Sequence, residues 1–168
     1  MPTSESQPIE LLDGRFDGPS AFAQVIRDAL ACAAREGWSE MVWIDADFED
    51  WPLRERAVVD SLQAWSRGGR RLVIVARSYT SVLRYQPRFV GWRKMWDHIV
   101  EPRLCRVVGT SEFPSALWSP HWAARRLDVQ RSAGVAGFDP RWRLQLKELM
   151  DEYRKQSSPG FPASVLGL

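Results

Sequence analysis

Two apolar runs without polar interruption, residues 41–44 (M-V-W-I) and 72–76 (L-V-I-V-A), stand out along this chain. A run of that kind marks a strand buried on both faces of a sheet. Between and around them, apolar residues return every three or four positions, the period of an amphipathic helix. Phe22, Val25, Ile26, Ala29, Leu30 and Ala33 form the first such stripe. Asp17-Gly18-Pro19 opens it, with proline where a missing N–H costs nothing, and Gly37 closes it. Leu53, Ala57, Val58, Leu62 and Trp65 form a second stripe, which begins near Asp50 and stops at Gly68-Gly69. Ser78 caps a third helix through Val82 and Leu83. Pro87 interrupts the pattern, and Phe89, Trp92 and Trp96 continue it. Residues 103–108 and 125–130 read as further strands, with a loop over 109–121 that holds Pro114 and Pro120. A short strand or extended lead-in starts at Ile9. The last helix starts at Asp139-Pro140 and carries Trp142, Leu146, Leu149, Met150 and Tyr153 on one stripe.

Strand, helix, strand, helix, strand predicts an α/β fold with a mixed, largely parallel sheet and helices on both faces. Residues 1–8 are polar and expected to be mobile, and residues 9–168 form one domain. At 168 residues, 45% hydrophobic and 26% charged, the balance is that of a folded chain with a substantial core. No apolar run is long enough to span a bilayer, and no secretory leader is legible. Cys32 and Cys105 are too far apart for a metal-type spacing and read as buried thiols, which suits a reducing cytoplasm. A net charge of +2 does not mark a nucleic-acid binder, so nucleic acid is an unlikely partner. The cations are uneven in kind, with arginines far outnumbering lysines. Segment 88–96 interleaves arginines with Phe89, Trp92 and Trp96, but those aromatics share one helical face and read as core.

Candidate chemistry gathers at the end of the first apolar run. Asp45 and Asp47 project to the same side there, at the strand end where open α/β sheets place their ligands. The string I-D-A-D-F resembles the first motif of haloacid dehalogenase-type phosphatases. The resemblance implies one aspartate as nucleophile and the other as acid/base beside Mg²⁺, with Ser78 as the hydroxyl of the second motif. Glu49 replaces the Thr or Val usual in that family, and no later acidic pair completes a metal site.

A second constellation is S-P-H-W-A-A-R-R-L-D, residues 119–128, in which His121 and Asp128 have the spacing of the H-x-K-x-x-x-x-D signature. With M-V-W-I-D-A-D-F-E-D-W, R-R-L-V-I-V-A-R and the closing D-P-R-W-R-L-Q-L-K-E-L-M-D-E-Y, the chain resembles a phospholipase D-like half-domain. It is similar to uncharacterised bacterial domains of that type. Ala123 stands at the lysine position, and a methyl group cannot bind phosphate oxygens, so His121 and Asp128 are vestigial candidates.

The resemblance implies a scaffold without its reaction. The expected function is a non-catalytic module that binds a phosphate-bearing ligand or a partner protein, with Arg77, Arg125 and Arg126 as candidate ligand-binding cations. The alternative is a Mg-dependent phosphatase-like hydrolase using Asp45 and Asp47. No cofactor and no metal is expected for the binding reading. Because such half-domains pair, and because nine tryptophans exceed what a chain this size readily buries, a two-fold homodimer is expected as well.

Overall fold

The computed structural model describes residues 10–106 and 113–161. In chain order the elements are β1 (Gly14–Phe16), α1 (Pro19–Glu36), β2 (Glu40–Asp45), α2 (Arg56–Trp65) and β3 (Arg71–Ala76). They continue with α3 (Thr80–Tyr85), α4 (Pro87–Met95), β4 (Val100–Leu104), β5 (Ser115–Trp118) and β6 (Ala123–Asp128). β7 (Ala133–Gly137), α5 (Pro140–Lys155) and β8 (Ser158–Pro159) complete the chain. The strands form one sheet in the order β1-β7-β6-β5-β2-β3-β4-β8.

The α/β expectation holds, but the sheet is mixed, not largely parallel. Among the described residues only β2–β3 and β3–β4 are parallel pairs. The other pairings, from β2–β5 out to β1 and from β4 to β8, are antiparallel. The difference arises in the second half of the chain, where short strands follow one another through tight turns. β5 falls inside the stretch expected to be a loop. β4 begins three residues earlier than expected, and residues 107–108 of that expected strand lie outside the described residues. β7 (A-G-V-A-G) has almost no side chain to signal a strand. Its Gly134 is required by packing, because a Cβ there would lie 2.0 Å from the Arg125 carbonyl oxygen of the adjacent bulged strand.

The apolar runs behave as their patterning demands. β3 lies between β2 and β4, and Leu72 through Ala76 are buried. Leu72 and Ile74 face a large core built under α1, α2 and α4, while Val73 and Val75 face a smaller core under α5. Gly37 ends α1 in the left-handed conformation (φ 69°), and its N–H donates to Ala33 O at 2.9 Å.

The tryptophans are absorbed into this body, and none of the nine is exposed. Trp43, Trp65 and Trp92 are buried as expected, and Trp142 is half-buried. For two of them a polar partner offsets the cost of burying the indole N–H. Trp65 Nε1 donates to Trp38 O at 2.7 Å, and Trp92 Nε1 donates to Ser66 Oγ at 2.9 Å. Residues 1–8 and most of the C-terminal tail fall outside the described residues. Among the described residues, no helix is long and apolar enough to cross a membrane.

Candidate functional site

The carboxyl ends of β2, β3 and β6 meet at one edge of the sheet, because β6 runs parallel to β2 with β5 reversed between them. At that edge Asp45 is enclosed. Its Oδ2 accepts the backbone N–H groups of Asp47 (3.2 Å) and Phe48 (2.8 Å), holding a turn in which Phe48 has φ 59°. Its Oδ1 accepts from Arg126 Nη2 at 2.8 Å, with side-chain exposures of only 3% and 1%.

Arg126 is equally committed. Its Nε donates to Ser115 Oγ (2.8 Å), and its Nη1 to Asp50 Oδ2 (2.8 Å) and Ser132 Oγ (3.0 Å). Its guanidinium lies 4.3 Å from the Phe22 ring centroid. A buried cation needs this much company, since desolvation would otherwise outweigh its attraction to one carboxylate. Arg126 is therefore a strut between β6 and the turn after β2, which corrects its candidacy as a ligand cation. Asp50, near which the second helix was expected to begin, serves the same strut, and α2 itself starts at Arg56.

The phosphatase constellation does not converge. Both Asp45 oxygens are occupied, Asp47 Oδ1 accepts from the Glu49 N–H (3.0 Å), and Ser78 Oγ pairs with Thr80 Oγ1 (3.1 Å). Among the described residues, no group of three or more His, Cys, Asp or Glu side chains is placed to hold a metal ion.

Strand alternation sends Arg125 to the opposite face, the one that carries Ala123 and α5. Paired residues across the sheet put Arg15, Val135, Arg125, Ala116, Ile44, Val75 and Arg103 in one row on that face. α5 covers the middle and the β4 end of the row, where Leu146 and Met150 pack on Val42, Ile44, Val73 and Val75. Arg103 is tied down there, with Nε on Ser157 Oγ (2.8 Å) and Nη2 on Ser157 O (2.7 Å).

The β6–β7–β1 end is left open. Leu127 is 58% exposed, Arg15 is exposed, and Arg125 is half-buried with its Nε enclosed and, among the described residues, unpartnered. Arg77, just past β3, lies with its guanidinium 5.5 Å from the Phe113 ring centroid. It lines a cavity of about 550 Å³ with Ala46, Leu127 and Asp128. Among the described residues neither Arg77 nor Arg125 has a carboxylate partner. Asp128 Oδ1, in the same cavity, accepts the Arg131 N–H at 3.1 Å.

His121 and Asp128 do not share a site. Asp128 sits at the carboxyl end of β6, whereas His121 lies before its start, exposed, with its ring 6.2 Å from that of Trp38. His121 borders a different cavity, with Cys32, Glu36 and Phe138. Both cysteines are buried, and burial together with a hydrogen bond to Glu36 pushes the Cys32 thiol up to about 11, which disfavours the thiolate.

No family model and no curated protein matches this chain. Among solved structures, TrmBL2, an archaeal chromatin protein whose structure shows a novel mode of DNA binding, matches with a TM-score of 0.66. The match covers 95% of this chain and 57% of that one at 13% sequence identity, so this chain spans little more than half the length of its neighbour. At that identity the likeness establishes the fold alone.

Two expectations are corrected here, and a third, the homodimer, loses its grounds. Phospholipase D-like membership gives way to the TrmBL2-like fold, since the two residues that carried it stand at opposite ends of β6. The homodimer rested on phospholipase D-type pairing and on surplus tryptophans; the first has gone, and the tryptophans are buried or half-buried. The view of nucleic acid as an unlikely partner is withdrawn as well: a net charge of +2 says little about one local face, and the matched solved structure is that of a chromatin protein described with a mode of DNA binding.

Sequence reasoning missed Arg15, Ser115 and Ser132. Arg15 was hidden in a three-residue strand, and the serines had no motif to mark them.

Proposed function

We propose that this chain is a non-catalytic binding module that holds a phosphate-bearing ligand on its open sheet face, and that the ligand is DNA, gripped by its backbone. The observation that carries the reading is Arg125, a half-buried guanidinium with an enclosed, unpartnered Nε on the part of the sheet that α5 leaves uncovered. Leaving such a donor without an acceptor is costly, and an incoming anionic oxygen removes the cost. Arg77 and Arg15 flank it on the same side without carboxylate partners among the described residues. A guanidinium fork matches phosphate oxygens in pairs. TrmBL2 supplies the direction from phosphate in general to DNA, and the arginine row supplies the chemistry.

Contacts of this type position a backbone and read no bases, so binding is expected to be salt-dependent and indifferent to sequence. The test is fluorescence anisotropy of a short labelled duplex, titrated with the protein at several salt concentrations. Exchanging both Arg77 and Arg125 for alanine is expected to weaken binding about tenfold and to lower the slope of log K against log salt by roughly one per arginine. Unchanged affinity and slope in the double variant, or no binding by the wild type at low salt, would overturn the reading.

A further inference from the structure

On the other side of the same sheet edge, a cavity of about 240 Å³ is lined by Glu49, Arg54, Ser81, Tyr85 and Gln86. Gln86 is only 3% exposed, and its side chain is fixed by chemistry. Its Nε2 donates to the Phe48 carbonyl at 3.0 Å, which orients the amide and leaves Oε1 as a buried acceptor without a donor. The Glu49 carboxylate makes no ion pair among the described residues. Tyr85 is 56% exposed, an aromatic face offered to solvent at the rim, with Arg84 placed 5.8 Å from its ring centroid.

The cavity therefore presents two acceptors, a cation and an exposed ring. Its volume is below the about 300–1,000 Å³ of a drug-sized site, so it suits one planar ring system rather than a whole nucleotide.

We propose that this cavity is a subsite for a single unpaired nucleobase bearing an exocyclic amine, stacked on Tyr85 and donating to Gln86 Oε1 and Glu49. The assignment rests on the DNA-binding reading and deepens it: a backbone held on the arginine face delivers a strand end or an extruded base across the edge of the sheet. Adenine, cytosine and guanine carry the required N–H₂ donors, and stacking on an exposed tyrosine is the usual grip on an unpaired base. The two acceptors set the preference. Thymine, with carbonyl oxygens where the others carry amines, meets Glu49 and Gln86 with like partial charge.

The experiment compares a blunt duplex with the same duplex carrying a single-stranded overhang, in adenine, cytosine, thymine and abasic versions. Adenine and cytosine overhangs are expected to bind several-fold more tightly than the blunt, thymine or abasic forms. A 2-aminopurine in the overhang is expected to lose fluorescence on binding. Because Gln86 also braces the Phe48 turn, the variants are the exposed pair Tyr85→Ala and Glu49→Ala. Each is expected to abolish the overhang's gain while leaving blunt-duplex affinity within twofold. If the blunt duplex binds and no overhang adds affinity, the subsite falls and the backbone reading stands. If overhangs bind in a Tyr85-dependent way while the blunt duplex does not bind, the subsite stands and the duplex reading falls. An overhang gain that survives both variants, or is equal for abasic DNA, removes the subsite.

Discussion

The two halves of the sheet obey different rules. β2, β3 and β4 are parallel, and the inner strand β3 is apolar on both faces because helices lie over both. β6, β7 and β1 are antiparallel and packed on one face, where Phe16, Ala124 and Ala136 join the core under α1. Their other face, past Ala123 where α5 still reaches, carries Arg125, Leu127 and Arg15. Coverage on two faces leaves a strand no freedom, whereas coverage on one frees every second position for charge. The adjacent pair Arg125 and Arg126 makes the point within one strand. One guanidinium is locked inside by two aspartates, two serines and a ring, and its neighbour has no such partners among the described residues.

That contrast is most exposed to failure at the pair itself. Arg126→Ala strands the Asp45 carboxylate in the core, and breaking a buried pair from one side costs about 3–5 kcal/mol. Arg125→Ala removes nothing that holds the sheet together and is expected to change stability by about 0.5 kcal/mol or less while weakening DNA binding. Urea unfolding of the two variants checks both values. Equal destabilisation by the two would mean that the arginines share a structural role, and the comparison would collapse.

A smaller effect is expected when the two halves are compared with apolar residues. Ile74→Ala in β3 opens a cavity among fully buried neighbours and is expected to cost about 3 kcal/mol. Val135→Ala in β7 lies on the half-covered face and is expected to cost about 1 kcal/mol or less. A thermal-unfolding series on both variants sharpens the comparison; a larger loss at Val135 would show that the outer face is covered after all.

Legibility in the sequence followed the same division. β2, β3, α1 and α5 were readable because burial on defined faces imposes a period, and glycine or proline marked the helix limits at Gly37 and Pro140. β5 and β7 were not, since four residues beside Pro114 and a Gly-Ala stretch carry too few side chains to reveal a period. Arg77 and Arg125 were identified as candidate cations, but Arg126 was not separated from Arg125. Alternation divides the pair between two faces, and only the sheet order says which face is closed. Gln86 had no signal at all: its orphaned oxygen follows from the Phe48 carbonyl, set by a turn 38 residues away. The motif matches misled because spacing along a chain does not fix where a strand begins, and His121 lies outside β6 altogether.

A further modest effect concerns the clasp that decides how far α5 reaches across the sheet. Arg154 of α5 grips Glu101 of β4 with Nε–Oε2 at 2.6 Å and Nη2–Oε1 at 2.7 Å, while Arg71 of β3 approaches Oε1 at 2.9 Å. Hydrogen bonds from Arg154 are the main reason the Glu101 carboxyl is held below its ordinary range, against the opposing cost of burial. A carboxyl lowered on folding stabilises the protein fully above its unfolded value, and that contribution is lost as pH falls through the folded one. Both partners are about a third exposed, so screening limits the contribution to about 1 kcal/mol. Glu101→Gln is therefore expected to lower the urea midpoint at neutral pH, with the gap to wild type closing as the pH drops through and below the glutamate range. A gap that persists unchanged in acid would assign the loss to packing. In that case the grip of α5 on the parallel half, and so the openness of the other half, would depend on Leu146 and Met150 rather than on the ionic clasp.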